Sequence, residues 1–120
     1  MRLNDPGLLE TRAYLAGAWV QTAARLPVHD PARGTLLAEV ADCSRADAAT
    51  AIAAAKAAQP GWAALTGKER AAILRSWHDL VVANADDLAA ILTAEMGKPL
   101  AEARGEILYG ASYIEWFAEE

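Results

Sequence analysis

Alanine occupies 30 of the 120 positions, and this limits the possible folds more than any motif does. Alanine has the highest helix propensity and contributes little core volume, so a chain this rich in it favours helices. The apolar fraction of 54% therefore overstates the packing material, because only 35 larger apolar side chains remain once the alanines are set aside. At this length the chain fits one ordinary domain, which buries roughly two-thirds of the surface its unfolded form exposes. It is too short for a large multidomain enzyme.

The alanines are unevenly placed, and the hydrophobic period changes at Ser44. Before it, residues 13 to 42 read as short extended segments. Tyr14-Leu15 and Trp19-Val20 flank a turn at Gly17, and Gly34 marks a second turn ahead of Thr35 to Val40. These predict two or three strands arranged as hairpins. Pro27 and Pro31 each remove a backbone donor, so that strand is expected to lie at an edge or to be interrupted.

After Ser44 the pattern is helical. Ser44 and Asp47 have capping-box spacing, and the alanine-rich run that follows predicts a helix over 45–58, stopped by Pro60-Gly61. Thr66 and Glu69 repeat the box, and Ile73, Leu74, Trp77, Leu80 and Val81 fall on one face of a helix over 67–83. Asn84-Ala85-Asp86-Asp87 reads as the start of a third helix over 85–96, closed by Gly97. Pro99 suits the first turn of a fourth over 99–120, whose apolar residues cover more than one side and so call for contacts on more than one side. Glu119-Glu120 places two acids where the helix dipole disfavours them, and no glycine or basic residue closes the turn; this reads as a helix cut short, in a chain belonging to something longer.

Charge and composition exclude several function classes. A net charge of −5, spread along the chain, leaves no polyanion-binding surface, so nucleic acid is not an expected partner. No apolar run is long enough to span a bilayer, and Asp5 and Glu10 interrupt the stretch a signal peptide would need, so a membrane is not expected either. The single Cys43 excludes an internal disulfide and fits the reducing cytoplasm.

The residue types that carry chemistry are sparse. The eight glycines never form Gly-x-Gly, so neither a dinucleotide fingerprint nor a P-loop is present. Cys43 has no neighbouring base and reads as a small packing residue. His29 and His78 are isolated and read as structural. Glu102 and Glu106 share a helix face in the first turns, as paired catalytic carboxylates would, but a solvated or ion-paired face accounts for them. Glu95 extends the Leu88, Ile91, Leu92 stripe, which predicts a carboxylate on a buried face and hence a need for a partner.

Taken together, several segments resemble the N-terminal region of the aldehyde dehydrogenase superfamily, and within it the bacterial succinate-semialdehyde dehydrogenases. They are Leu3-Asn4-Asp5, Gly17-Ala18-Trp19, the Asp30-Pro31-Ala32-Arg33-Gly34 turn, Leu65-Thr66-Gly67-Lys68-Glu69-Arg70-Ala71, Asp86-Asp87-Leu88-Ala89, Glu95 through Ala103, and Tyr113 through Glu120. The resemblance covers nearly the whole chain and rests on the order and spacing of these segments. It implies an α+β piece, short strands followed by about four helices, from the N-terminal part of an α/β fold.

The activity it implies is NAD- or NADP-dependent oxidation of succinate semialdehyde to succinate, by a soluble homo-oligomer, dimer or tetramer, with a small aldehyde as substrate. In such enzymes a cysteine thiolate attacks the aldehyde and hydride passes to the nicotinamide. The residues that do this, and those that hold the dinucleotide, lie farther along such chains, and Cys43 does not match the nucleophile's motif. The resemblance therefore gives this chain a framework role and no activity of its own. It also implies a monovalent cation, held in some members by backbone oxygens near the Asn-Pro turn and by an acid, which here would be the carbonyls of Val28 and His29 with Glu95. The competing expectation is a self-contained helical binding or regulatory module derived from the same region.

Overall fold

A computed structural model describes residues 1–120. A single 3-10 turn, Pro6–Leu8, opens the chain. Four strands follow: β1 (Ala13–Leu15), β2 (Ala18–Val20), β3 (Arg25–His29) and β4 (Leu36–Ala41). Four helices complete it: α1 (Arg45–Ala64), α2 (Gly67–Ala83), α3 (Ala85–Met96) and α4 (Leu100–Glu119). The expected order of short strands before four helices is what the structure has, with four strands where the turns predict two or three.

The strands form two antiparallel hairpins, β1 with β2 and β3 with β4. In the first, Leu15 pairs with Ala18 across a two-residue loop in which Ala16 (φ 51°) and Gly17 (φ 86°) are both left-handed. A primed turn needs this geometry to match the right-handed strand twist. In the second, the register shifts at Val28/His29, so that His29 faces Leu36. The Asp30 N–H donates to Thr35 O at 2.9 Å and the Gly34 N–H to Asp30 O at 2.7 Å, which close the turn. The hairpins are joined where the Ala41 N–H donates to Thr11 O at 2.8 Å.

Both capping boxes form. Ser44 Oγ accepts from the Asp47 N–H and Asp47 Oδ2 from the Ser44 N–H; Thr66 and Glu69 do the same for α2. Each satisfies an orphan donor of a helix start. The helix predicted to stop at Ala58 instead runs through Pro60 to Ala64. Proline removes one intrahelical donor, and here the residues around it are exposed, so water can serve the freed carbonyl of Lys56. The helix ends at Leu65, where the next capping box turns the backbone extended.

Asn84 differs from expectation in a second way. It is the single residue between α2 and α3, and its side chain caps no N–H of α3; its Nδ2 donates to Leu80 O at 2.8 Å and closes α2. Gly97 (φ 80°) then ends α3 in the left-handed conformation that only glycine adopts without strain.

Helices α2 and α3 both pack on α4, whereas the main contact of α1 is with β1. The buried apolar residues are all alanines: Ala85 and Ala89 of α3, and Ala103, Ala111 and Ala118 of α4. The one buried polar residue is Asp87, 6% exposed. No helix is long and apolar enough to cross a membrane.

Candidate functional site

The residues singled out for chemistry are scattered. Cys43 is exposed, directly before the cap of α1. His78 is half-buried, with Nδ1 3.0 Å from Asp79 Oδ1. Of the two acids at the start of α4, Glu106 pairs with Lys98, which makes this an ion-paired face. Nowhere do three His, Cys, Asp or Glu side chains gather as metal ligands would.

Val28 is half-buried, His29 is exposed, and both flank the register shift of the second hairpin. The end of α3 lies beside this hairpin, since a Cβ on Gly97 would come within 3.0 Å of Pro31 Cγ. Glu95, however, is exposed, and the burial that its place on the stripe predicts is absent. The reason is rotational: the alanines of α3 face α4, Leu88, Ile91 and Leu92 are half-buried at the edge of that contact, and Glu95 continues the edge into solvent. With that burial gone, the grouping of Val28, His29 and Glu95 as a cation site loses the physical argument for it.

The buried carboxylate of α3 is Asp87. Its Oδ1 accepts from the Asn4 N–H and Asn4 Nδ2, each at 3.0 Å, and its Oδ2 from the Asp5 N–H at 2.8 Å. These donors, the Asn4 and Asp5 backbone first, hold the Asp87 carboxyl below the usual carboxylate range. The clasp fixes the N-terminal arm across the start of α3. Sequence reasoning took Asp86-Asp87 only as a helix start, because the donors lie 83 and 82 positions away and leave no local signal.

Ion pairs tie the helices together at their exposed edges. Arg104 Nε meets Asp86 Oδ1 at 2.7 Å between α4 and α3, and Arg75 of α2 bridges Glu115 and Glu119 of α4. Just before β1, the Arg12 guanidinium grips Glu10 through Nε and Nη2 and holds that carboxyl at about 2.

The most extensive unsatisfied surface is apolar. On α2 the stripe divides: Leu74 and Val81 are half-buried, while Ile73, Trp77 and Leu80 are exposed. On α4, Tyr109 and Tyr113 stack edge to face at 5.0 Å, and Trp116 and Phe117 stand open beyond them. These exposed apolar side chains of α2 and α4 include no nucleophile, general base or phosphate cradle.

The model of the aldehyde dehydrogenase family matches residues 19–120. The chain belongs to the aldehyde dehydrogenase family. Glutarate-semialdehyde dehydrogenase of Pseudomonas aeruginosa is 49% identical over 122 residues, covering 100% of this chain and 25% of that protein. Among solved structures, succinate-semialdehyde dehydrogenase of Burkholderia pseudomallei is 57% identical with a TM-score of 0.94, over 98% of this chain and 25% of that one. An aldehyde dehydrogenase of Brucella melitensis biovar abortus 2308 superposes with a TM-score of 0.97 at 52% identity, over 100% of this chain and 25% of that one. The chain thus spans about a quarter of the length of these aldehyde dehydrogenases.

Enzymes of this family use NAD or NADP. The residues present here do not fit such a dinucleotide: no Gly-x-Gly turn opens a helix, the N-termini of α1 and α2 are capped by their own side chains, and the uncapped first turns of α3 and α4 carry Asp86, Asp87 and Glu102, which repel a pyrophosphate. No step of the redox chemistry is assigned to them.

Proposed function

We propose that this chain is the N-terminal framework of an NAD(P)-dependent aldehyde dehydrogenase that oxidises a short semialdehyde acid, succinate semialdehyde first and glutarate semialdehyde second. The reaction takes aldehyde, water and oxidised nicotinamide to carboxylate, reduced nicotinamide and two protons. The framework positions the machinery and supplies none of its reacting groups. We further propose a homo-oligomer, dimer or tetramer, in a reducing cytoplasm; for the compartment, the one free thiol, Cys43, is the support.

The observation that carries the framework reading is surface. The chain exposes 8413 Å², whereas a folded monomer of this mass exposes about 6,200 Å². Exposed aromatics of α2 and α4 supply part of that excess. The identities to both semialdehyde dehydrogenases support the substrate class.

The test is a fusion of this chain to the remainder of the Burkholderia pseudomallei enzyme, beside the chain by itself. With either semialdehyde the fusion reduces the nicotinamide, and the ratio of kcat/KM values orders the two substrates. The bare chain leaves the nicotinamide oxidised. Turnover by the bare chain, or a folded fusion that is inert to both aldehydes, overturns the proposal.

A further inference from the structure

Helix α4 carries two stripes on opposite sides. At about 100° per residue, Ala103, Ala111 and Ala118 fall together, and they are buried where α2 and α3 pack. Gly105, Tyr109, Ser112 and Trp116 fall together on the far side, at steps of four, three and four residues, and all four are exposed. Steps of three and four are those of a helix seam that another segment covers.

Two features of the outer stripe point to a close-fitting partner. Glycine inside a helix is less favourable than any residue but proline, and a Cβ on Gly105 would meet nothing within 4 Å. Nothing in this chain calls for glycine there, whereas a segment passing close over the helix does. The stripe also alternates small with large, Gly105 and Ser112 as notches, Tyr109 and Trp116 as knobs, a pattern that interlocks with a facing segment. Beside it the Tyr109 and Tyr113 hydroxyls hydrogen-bond to each other. That bond uses one of their two protons, so one O–H is left for an acceptor on the partner.

Area decides what the partner is. The chain exposes 8413 Å², about 2,200 Å² more than a compact monomer of its mass, and a stable dimer covers only about 800 Å² on each partner. The exposed apolar side chains also lie on several elements, Tyr14 and Trp19 on the first hairpin, Ile52 on α1 and Trp77 on α2. One two-fold contact with a second copy reaches one of these surfaces; a body much larger than this chain reaches them together. The aldehyde dehydrogenases that superpose on this chain are about four times its length, which supplies such a body.

We propose that the outer stripe of α4 packs within one subunit against the remaining three-quarters of the parent polypeptide, an apolar segment of which passes over the Gly105 notch while an acceptor meets the free tyrosine O–H. This rests on the framework reading above and adds the surface through which the framework is joined. The test compares the bare chain with the fusion described above. Gly105→Leu raises the helicity of the bare chain by circular dichroism, because leucine favours a helix and the space is open. In the fusion it lowers Tm by about 3 °C or more, because the notch is overfilled. Tyr109→Ala removes the neighbouring knob; it does not lower the helicity of the bare chain, and it lowers the Tm of the fusion. Both residues are exposed, so neither change threatens the fold of the bare chain, and a residue that stays in water does not reverse sign between the two. If the fusion turns over and both variants leave its Tm unchanged or raised, this inference falls and the framework reading stands. A folded fusion that is inert with Gly105 and Tyr109 in place overturns the framework reading and this inference with it. A Tm loss that follows dissociation of the fusion's oligomer in sedimentation also overturns it, because the stripe then meets a second copy.

Discussion

Backbone conformation at two small residues carries more information than their side chains do. Ala16 holds φ 51° in the β1–β2 turn, a conformation its Cβ disfavours, and it is exposed, so nothing but the turn requires it. Asparagine tolerates that region better. Ala16→Asn is expected to raise stability by about 0.5–1 kcal/mol in urea unfolding, with the helical signal unchanged. Gly97 is the reverse case, with φ 80° and Pro31 Cγ 3.0 Å from where its Cβ would stand. Gly97→Ala is expected to cost at least ~1 kcal/mol by the same measurement, because strain and contact act together. Single residues were also where the sequence was hardest to read. Glu95 and Asp87 exchange the roles that periodicity assigns: a stripe cannot tell its buried centre from its exposed edge when alanine, the smallest member, makes the contact. Gly17 and Gly34 were legible because turns are local.

Helix starts were equally legible, since a capping box closes within four residues; helix ends and tertiary clasps were not. Pro60 shows why. Read alone it stops α1, yet α1 continues to Ala64 because the lost hydrogen bond lies on an exposed face, and a second box at Thr66 sets the end. Interior proline is unfavourable by up to ~3 kcal/mol, so Pro60→Ala is expected to slow amide exchange through residues 56–64 and to increase helicity by circular dichroism. The N-terminal arm gives the second prediction at this scale. Asp87 has a folded carboxyl below its unfolded value of about 3.9, so the clasp contributes fully above that pH and is lost as pH falls through the lower, folded value. Asp47 and Glu69 are lowered in the same direction by their capping partners and Glu10 by Arg12, so a global acid transition mixes all four. Amide shifts of Asn4 and Asp5 isolate the clasp: they move on acidification below about 4 in the parent chain and show no such step in Asp87→Asn. Persistence of the step in that variant would assign it to another group.

At the scale of the whole molecule the balance of surface decides behaviour. The Cα radius of gyration is 16.7 Å, against about 13.6 Å for a compact domain of this length. Extents of 48 × 35 × 19 Å describe a slab rather than a sphere. Five alanines and one aspartate are all that such a slab buries, while Trp77 is 55%, Trp116 63% and Phe117 65% exposed. Apolar surface on this scale belongs to faces that pack on another body. The bare chain is therefore expected to self-associate in a concentration-dependent way and to bind an apolar dye, with sedimentation velocity reporting species heavier than 12.7 kDa. Replacing Trp77, Trp116 and Phe117 together by serine removes much of the exposed aromatic surface of α2 and α4 while leaving the alanine contact, the Arg75 bridges and both capping boxes in place. That variant is expected to sediment as a monomer with its helical signal retained. In the fusion with the rest of a related enzyme the same three changes are expected to lower thermal stability, because there the face has its partner. A parent chain that is already monomeric and dye-silent would mean that these aromatics are tolerated in water, and the framework reading would lose the surface argument on which it stands.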